Sequence, residues 1–169
     1  VVYFAFAALV LPVLVDAAGA CSAADSALAL TNSGGYYYIS TDAQLANVCR
    51  ACASLDYLLI GDPWSNNGCS DCSPDTLARC TGLATLTGKD PFIGLSLSIF
   101  TCPLLTNLGG LAGLSGSLEG ALYVAYNAKL TTLDGLEKIS NIGTDSYDGN
   151  SIELGSNPLL FSASALSAA

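Results

Sequence analysis

Histidine is absent from this 169-residue chain. Its absence removes the commonest general base, the Ser-His and Cys-His nucleophile pairs, and the commonest zinc ligand. Methionine is absent as well, and an apolar Val stands at position 1; a chain without its initiator is expected to have lost its original N-terminus. Charged residues make up only 11% of the chain, and the basic ones, Arg50, Arg79, Lys89, Lys129 and Lys138, form no patch. With a net charge of −9, the surface repels phosphate backbones, so nucleic-acid partners are disfavoured. No Gly-rich stretch ends in Lys-Ser/Thr, so there is no phosphate loop of that type. No Asn-x-Ser/Thr sequon occurs; Asn67-Gly68-Cys69 is a weak variant. Carboxylates such as Asp62 and Asp71, or Asp134 and Glu137, read as a solvated face, not as acid pairs in a cleft.

Apolar residues are plentiful at 51%, too many for a disordered chain. The length suits one modest domain with its own core. Residues 1–15 read VVYFAFAALVLPVLV, and Ala-Ala-Gly-Ala follows at 17–20. An apolar run followed by small residues fits a secretory signal peptide, with Ala18-Gly19-Ala20 as the cleavage site. The rival is an uncleaved membrane anchor, although fifteen residues rise only about 22 Å as a helix against a hydrocarbon core of about 30 Å. A buried core helix is the third reading. The first two place the following residues outside the cytosol. The domain plan is thus a leader or anchor at 1–20, an N-terminal cap at 21–35, and a repeat domain at 36–169, truncated at its C-terminus.

Internal repeats are the main signal. LLTNLGGLAGL (104–114) lies over KLTTLDGLEKI (129–139), and LSIFTCPL (97–104) over LYVAYNAK (122–129). SIELGSNPLL (151–160) repeats the strand again. The shared template is apolar-x-apolar-x-x-(Asn/Cys)-x-x-Leu. Leu122, Val124, Asn127 and Leu130 fit it, as do Ile152, Leu154, Asn157 and Leu160. Leu97, Ile99, Cys102 and Leu105 fit with Cys in the polar slot, and Tyr37, Ile39, Asp42 and Leu45 with Asp there. Leu58 and Ile60 begin a degenerate copy with Pro63 in that slot. Alternate apolar residues on a short strand point into one core. A polar side chain at the following bend satisfies buried N–H groups, so Asp42, Cys102, Asn127 and Asn157 are expected to form a ladder. A single repeat cannot bury its apolar face alone, so the repeats must stack.

The strand–Asn–Leu units at 122–130 and 152–160 resemble the receptor L-domain family, as does the LTxLxGLxxI run ending at Ile139 with SNIG behind it. YYYISTDAQLANV (36–48) resembles that family's first coil and helix. The resemblance spans roughly residues 33–161, with a Cys-rich insertion in the 57–94 coil. It implies a leucine-rich-repeat-like solenoid: a right-handed β-helix with one short parallel strand per coil and few short helices. It also implies a ligand-binding or structural surface and carries no catalytic set.

Seven cysteines stand at 21, 49, 52, 69, 72, 80 and 102. Cys49-x-x-Cys52 and Cys69-x-x-Cys72 have the spacing of a four-cysteine zinc site. An oxidising compartment favours disulfides instead. The preferred pairing is Cys21–Cys49, Cys52–Cys80 and Cys69–Cys72, leaving Cys102 free in the ladder. Asp145, Asp148, Asn150 and Glu153 tempt as a calcium loop, but their order does not match an EF-hand, and Asp148-Gly149-Asn150 reads as a turn.

Strand alternation puts Tyr36, Tyr38, Tyr57, Leu59, Phe100 and Tyr123 on the outward face, where they would form an aromatic binding surface. The alternative is that these tyrosines simply suit a β-surface or pack under the Cys-rich insertion. The expectation is a secreted or cell-surface, non-catalytic recognition or structural module without cofactor or metal. Its partner would be an extracellular protein or a glycan, with membrane contact only through residues 1–20 or a missing C-terminal anchor. The alternatives are the non-catalytic ectodomain of a larger receptor-type enzyme and a small zinc-binding protein with four cysteine ligands.

Overall fold

The apolar-x-apolar segments become short strands, and the strands pair mostly in parallel. The computed structural model describes residues 19–24, 26–33, 35–167 and 169. Apart from Gly19 and Ala20, the 1–20 leader or anchor lies outside the described residues. In chain order the elements are β1 (Ala20–Cys21), β2 (Thr31–Ser33), β3 (Tyr36–Tyr38), α1 (Asp42–Ala51), β4 (Ser54–Leu55), β5 (Leu58–Ile60), α2 (Pro74–Leu77), β6 (Thr85–Leu86), β7 (Leu95–Phe100), β8 (Gly116–Leu118), β9 (Ala121–Ala125), β10 (Ile139–Ile142) and β11 (Ile152–Gly155). Among the described residues, no helix is long and apolar enough to cross a membrane.

The sheet inventory corrects the expected leucine-rich-type solenoid with one strand per coil. Among the described residues there are four short sheets: a four-stranded one in the order β11-β9-β7-β5, a three-stranded β1-β4-β6, and two two-stranded ones, β10-β8 and β2-β3. The first three are parallel. β2 and β3 pair antiparallel. The turn between them explains why: Gly35 adopts φ +116°, which a side-chain-bearing residue rarely tolerates. Asn32 Oδ1 accepts the Gly35 N–H at 3.4 Å. Tyr36–Tyr38 is therefore a hairpin arm, and only Ile39 bridges onward to Ile60.

In the four-stranded sheet, Leu58, Leu97, Leu122 and Ile152 stand side by side, as do Ile60, Ile99, Val124 and Leu154. The members from β5, β7 and β9 fill the main core with Leu105, Leu108, Leu111, Leu130, Leu133 and Leu136. At the edge, Ile152 and Leu154 remain 42% and 39% exposed.

Each of these strands ends in a left-handed residue: Gly61 (φ 80°), Thr101 (48°), Tyr126 (60°) and Ser156 (52°). Three of the four carry a side chain there, a strained choice that swings the next residue inward. That residue is Cys102, Asn127 or Asn157. Asn127 Oδ1 accepts the Cys102 N–H at 2.9 Å, and its Nδ2 donates to the Ile99 carbonyl at 2.9 Å. Asn157 Oδ1 accepts the Asn127 N–H at 3.0 Å, and its Nδ2 donates to the Val124 carbonyl at 2.8 Å. The thiol of Cys102 sits in the equivalent place: Sγ lies 3.4 Å from the Phe100 carbonyl and 3.8 Å from the Ile60 carbonyl, beside the Cys69 backbone N–H. Cys69 thus follows Cys102 in the column, and residues 62–68 are an insertion between strand and column.

Asp42 is not in the column, which corrects its expected place. Thr41 caps α1 in a reciprocal box with Gln44, and this sets Asp42 in the first helical turn. Its carboxylate accepts from the Ser73 N–H and the Thr76 hydroxyl, both at 2.7 Å, tying α1 to α2. Burial raises the Asp42 pKa, but those Thr76 and Ser73 donors outweigh it and hold the group below the ordinary carboxylate value.

The disulfides are Cys21–Cys52, Cys49–Cys80 and Cys69–Cys72. The third is the expected one; the first two exchange partners relative to the expected pairing. Cys49 lies inside α1 and faces the core, where Cys80 meets it, while Cys52 at the C-cap meets Cys21 beside the β1–β4 pair. The two Cys-x-x-Cys motifs therefore do not converge on a zinc site. Cys102 is free and buried, and burial pushes its thiol up to about 12. A thiol that protonated and enclosed is a poor nucleophile. Iodoacetamide should leave it unmodified in the native protein and label it fully in denaturant; rapid native labelling would contradict the column.

Candidate functional site

The outward row of the four-stranded sheet reads Leu59, Ser98, Tyr123, Glu153. The expected aromatic surface on this face is corrected at most of its members. Tyr36, Tyr38, Tyr57, Leu59 and Phe100 are all buried, and Tyr123 is half-buried. The first four pack with Ala23, Ile93, Leu95 and Ala121 into a second apolar cluster. Alternation placed the row on the right side of the sheet, but segments before β2 and before β7 lie over it. Phe100 is covered by its neighbours Tyr123 and Tyr126, with ring centroids 6.1 and 5.5 Å away.

What remains open is a cleft of about 220 Å³ beside the β9–β11 end of this face. Ile93, Leu95 and Tyr123 contribute apolar surface; Pro63 and Trp64 line it, as do Asp145, Tyr147, Asp148 and Glu153. Trp64 is 59% exposed and Tyr147 70%. Their rings meet at 5.0 Å between centroids with a 55° tilt, so two separate loops join through an aromatic contact.

Both loops are fixed by an aspartate. The fully buried Asp62 accepts from the Tyr36 hydroxyl (2.7 Å), the Trp64 N–H (2.9 Å) and the Ser65 N–H (3.2 Å), and also from the Ser65 hydroxyl. Its backbone pairs with Asn67 in both directions. Gly61 makes the entry possible, since a Cβ there would collide with the Phe100 carbonyl. Asp145 Oδ1 accepts from the N–H groups of Tyr147 and Asp148 at 2.8 Å and of Gly149 at 3.1 Å. Slight burial raises its pKa, but the backbone donors at 148, 147, 149 and 150 dominate and hold it below the ordinary value. Asp145, which tempted as part of a calcium loop, is thus a loop tie that stays ionised. Ser146 N–H donates to the Ile93 carbonyl at 3.1 Å, pinning this loop to the one before β7.

That third loop repeats the device. Asp90 Oδ1 accepts from Phe92 and Ile93 N–H at 2.9 and 2.7 Å, and Phe92 is 54% exposed. Asp62-Pro63-Trp64, Asp90-Pro91-Phe92 and Asp145-Ser146-Tyr147 are three copies of Asp-x-aromatic. Each aspartate binds the backbone N–H two residues on and presents the aromatic outward. Sequence reasoning missed Trp64 and Tyr147; this recurrence was the signal that could have found them.

Asp90 differs in that its Oδ2 is buried without a hydrogen-bond partner, and Ser98 Oγ is likewise unpartnered. Burial raises the Asp90 pKa, the Ile93, Phe92 and Gly94 backbone donors oppose this, and the Asp62 charge adds to the rise. Burial likewise pushes the nearby Tyr57 hydroxyl up to about 12. A carboxyl with a raised native pKa binds its proton more tightly folded than unfolded, so stability grows as pH falls through the native pKa towards the unfolded value. Asp90→Asn should therefore raise the melting midpoint at pH 7 and remove that acid-side gain, as thermal scans from pH 3 to 8 would show. A lower midpoint at every pH would contradict this.

No family model, curated protein or solved structure matches the chain. The cleft lining offers aromatic faces, apolar surface and carboxylates, and no basic side chain. That set can bind by stacking, hydrogen bonding and charge attraction. The three disulfides give the chain the pattern typical of extracellular proteins.

Proposed function

We propose that this chain is a secreted or cell-surface recognition module that binds an extracellular protein or glycan non-catalytically, at the cleft between the Trp64 and Tyr147 loops. The observation that carries this reading is the pair of well-exposed aromatics held out by aspartate-tied loops. Aromatic side chains supply large contact area at low entropic cost, and fixed loops lose little freedom when a partner docks. The absence of histidine and the engagement of the Asp145 carboxylate by backbone N–H groups favour binding over acid–base chemistry. The strand–Asn–Leu resemblance to receptor L-domains points the same way. The leader reading of residues 1–20 and the disulfide content support export.

The test is a panel of defined glycans and purified extracellular ectodomains, probed by biolayer interferometry. Trp64→Ala/Tyr147→Ala should weaken binding to the responding member at least tenfold, as loss of about 1.4 kcal/mol or more would, and leave the far-UV spectrum unchanged. Unaltered binding by the double variant would overturn the placement of the site.

A further inference from the structure

Resting on that reading, we propose that the cleft is a receptor for an alkylammonium group, namely the side chain of a partner's lysine. Three observations converge. The lining combines three aromatic rings, Trp64, Tyr123 and Tyr147, with three carboxylates, Asp145, Asp148 and Glu153, and no cation balances them. A cation is attracted both to aromatic faces and to carboxylates, whereas a phosphorylated headgroup would meet net repulsion. The volume, about 220 Å³, is below the range of about 300–1,000 Å³ typical of sites for drug-sized ligands, so it suits one side chain. The Trp64 and Tyr147 rings are tilted by 55° and form a single angled wall instead of parallel plates. A flat guanidinium gains most from parallel stacking; a compact ammonium does not need it.

The carboxylates divide the work. Asp145 holds its loop through three backbone N–H groups. Asp148 and Glu153 are exposed, and Glu153 stands opposite Tyr123 across the β9–β11 pair. These two supply the charge that meets the ammonium. The whole chain carries −9, which adds long-range attraction for a basic partner at low salt.

Trp64 is the single tryptophan of the chain, so its emission reports on this cleft alone. The purified protein is titrated with the blocked tripeptide acetyl-Gly-Lys-Gly-amide, with its Nζ-acetyl-lysine and arginine counterparts, and with chitotriose. The lysine peptide should give a saturable change that weakens as salt rises, and the acetyl-lysine peptide should give none. Asp148→Asn and Glu153→Gln should each weaken binding about fivefold, or about 1 kcal/mol, with unchanged melting. An equal response to acetyl-lysine, tighter binding of the arginine peptide, or no saturable response to the lysine peptide would each overturn the proposal. A response to chitotriose alone would overturn it and leave recognition at the cleft standing. Panel binding that ignores Trp64→Ala/Tyr147→Ala would instead remove the cleft as the recognition site, and this proposal with it.

Discussion

Asn127→Leu should lower the unfolding free energy by about 3 kcal/mol, through two buried backbone groups left without partners. The wild-type carboxamide accepts the Cys102 N–H and donates to the Ile99 carbonyl, and it also bonds Asn157 Oδ1 at 3.1 Å. Leucine matches the volume roughly but offers neither donor nor acceptor. The side chain is fully buried, so water cannot replace the lost partners. Asn157→Leu should cost less, about 1 kcal/mol, because Asn157 is half-buried at the sheet edge. Urea titrations of both variants give the comparison. A loss below about 0.5 kcal/mol for Asn127→Leu, the ordinary range for surface changes, would show that the column does not hold the bends.

Cys49→Ala/Cys80→Ala should cost about 3–4 kcal/mol, the second large effect. The bridge closes a sequence separation of 31 residues, for which loop-closure entropy gives a value of that size. It also fastens the core face of α1 to the segment after α2. Thermal unfolding of this double variant measures the cost. The pairing itself can be read independently, because trypsin cuts after Arg50 and separates Cys49 from Cys52. Cys21 and Cys49 stay together on the peptide ending at Arg50, so non-reducing mass mapping should find that peptide joined to both the 51–79 peptide and the 80–89 peptide. An unlinked peptide ending at Arg50 with an internal Cys21–Cys49 bridge, beside a 51–79 peptide joined to 80–89, would contradict the structure.

The strands of the central sheet were legible because alternation and a recurrent polar slot are local patterns with direct physical causes. Leu122, Val124 and Asn127 announce a strand, a bend and a buried carboxamide within six residues. The helix at Asp42–Ala51 overlaps the 36–48 segment, which resembled a coil and helix of the L-domain family. The single-sheet solenoid was not a safe extension, since the YYY segment carries strand propensity but no instruction about its partner. Gly35 and Asn32 decided that it folds back on Thr31–Ser33.

The cysteine pairing failed at close range. Cys49 and Cys52 are three residues apart and both packed in the core, and which partner each one meets depends on where α1 ends. The binding surface failed for a longer-range reason. Alternation tells which side of the sheet Tyr38 and Leu59 occupy, but whether that side meets water depends on loops elsewhere in the chain. The Asp62, Asp90 and Asp145 loops each look like ordinary turns in isolation. Their common role appears only when Asp-x-aromatic is seen three times, with the carboxylate taking the aromatic residue's N–H.

The most direct measurement of the central claim is hydrogen–deuterium exchange with and without the responding partner from the binding panel. The account predicts slowed exchange at residues 64–65 and 147–149, the amides of the two aspartate-tied loops. Protection confined to the exposed edge at 152–161, with both loops unchanged, would contradict it.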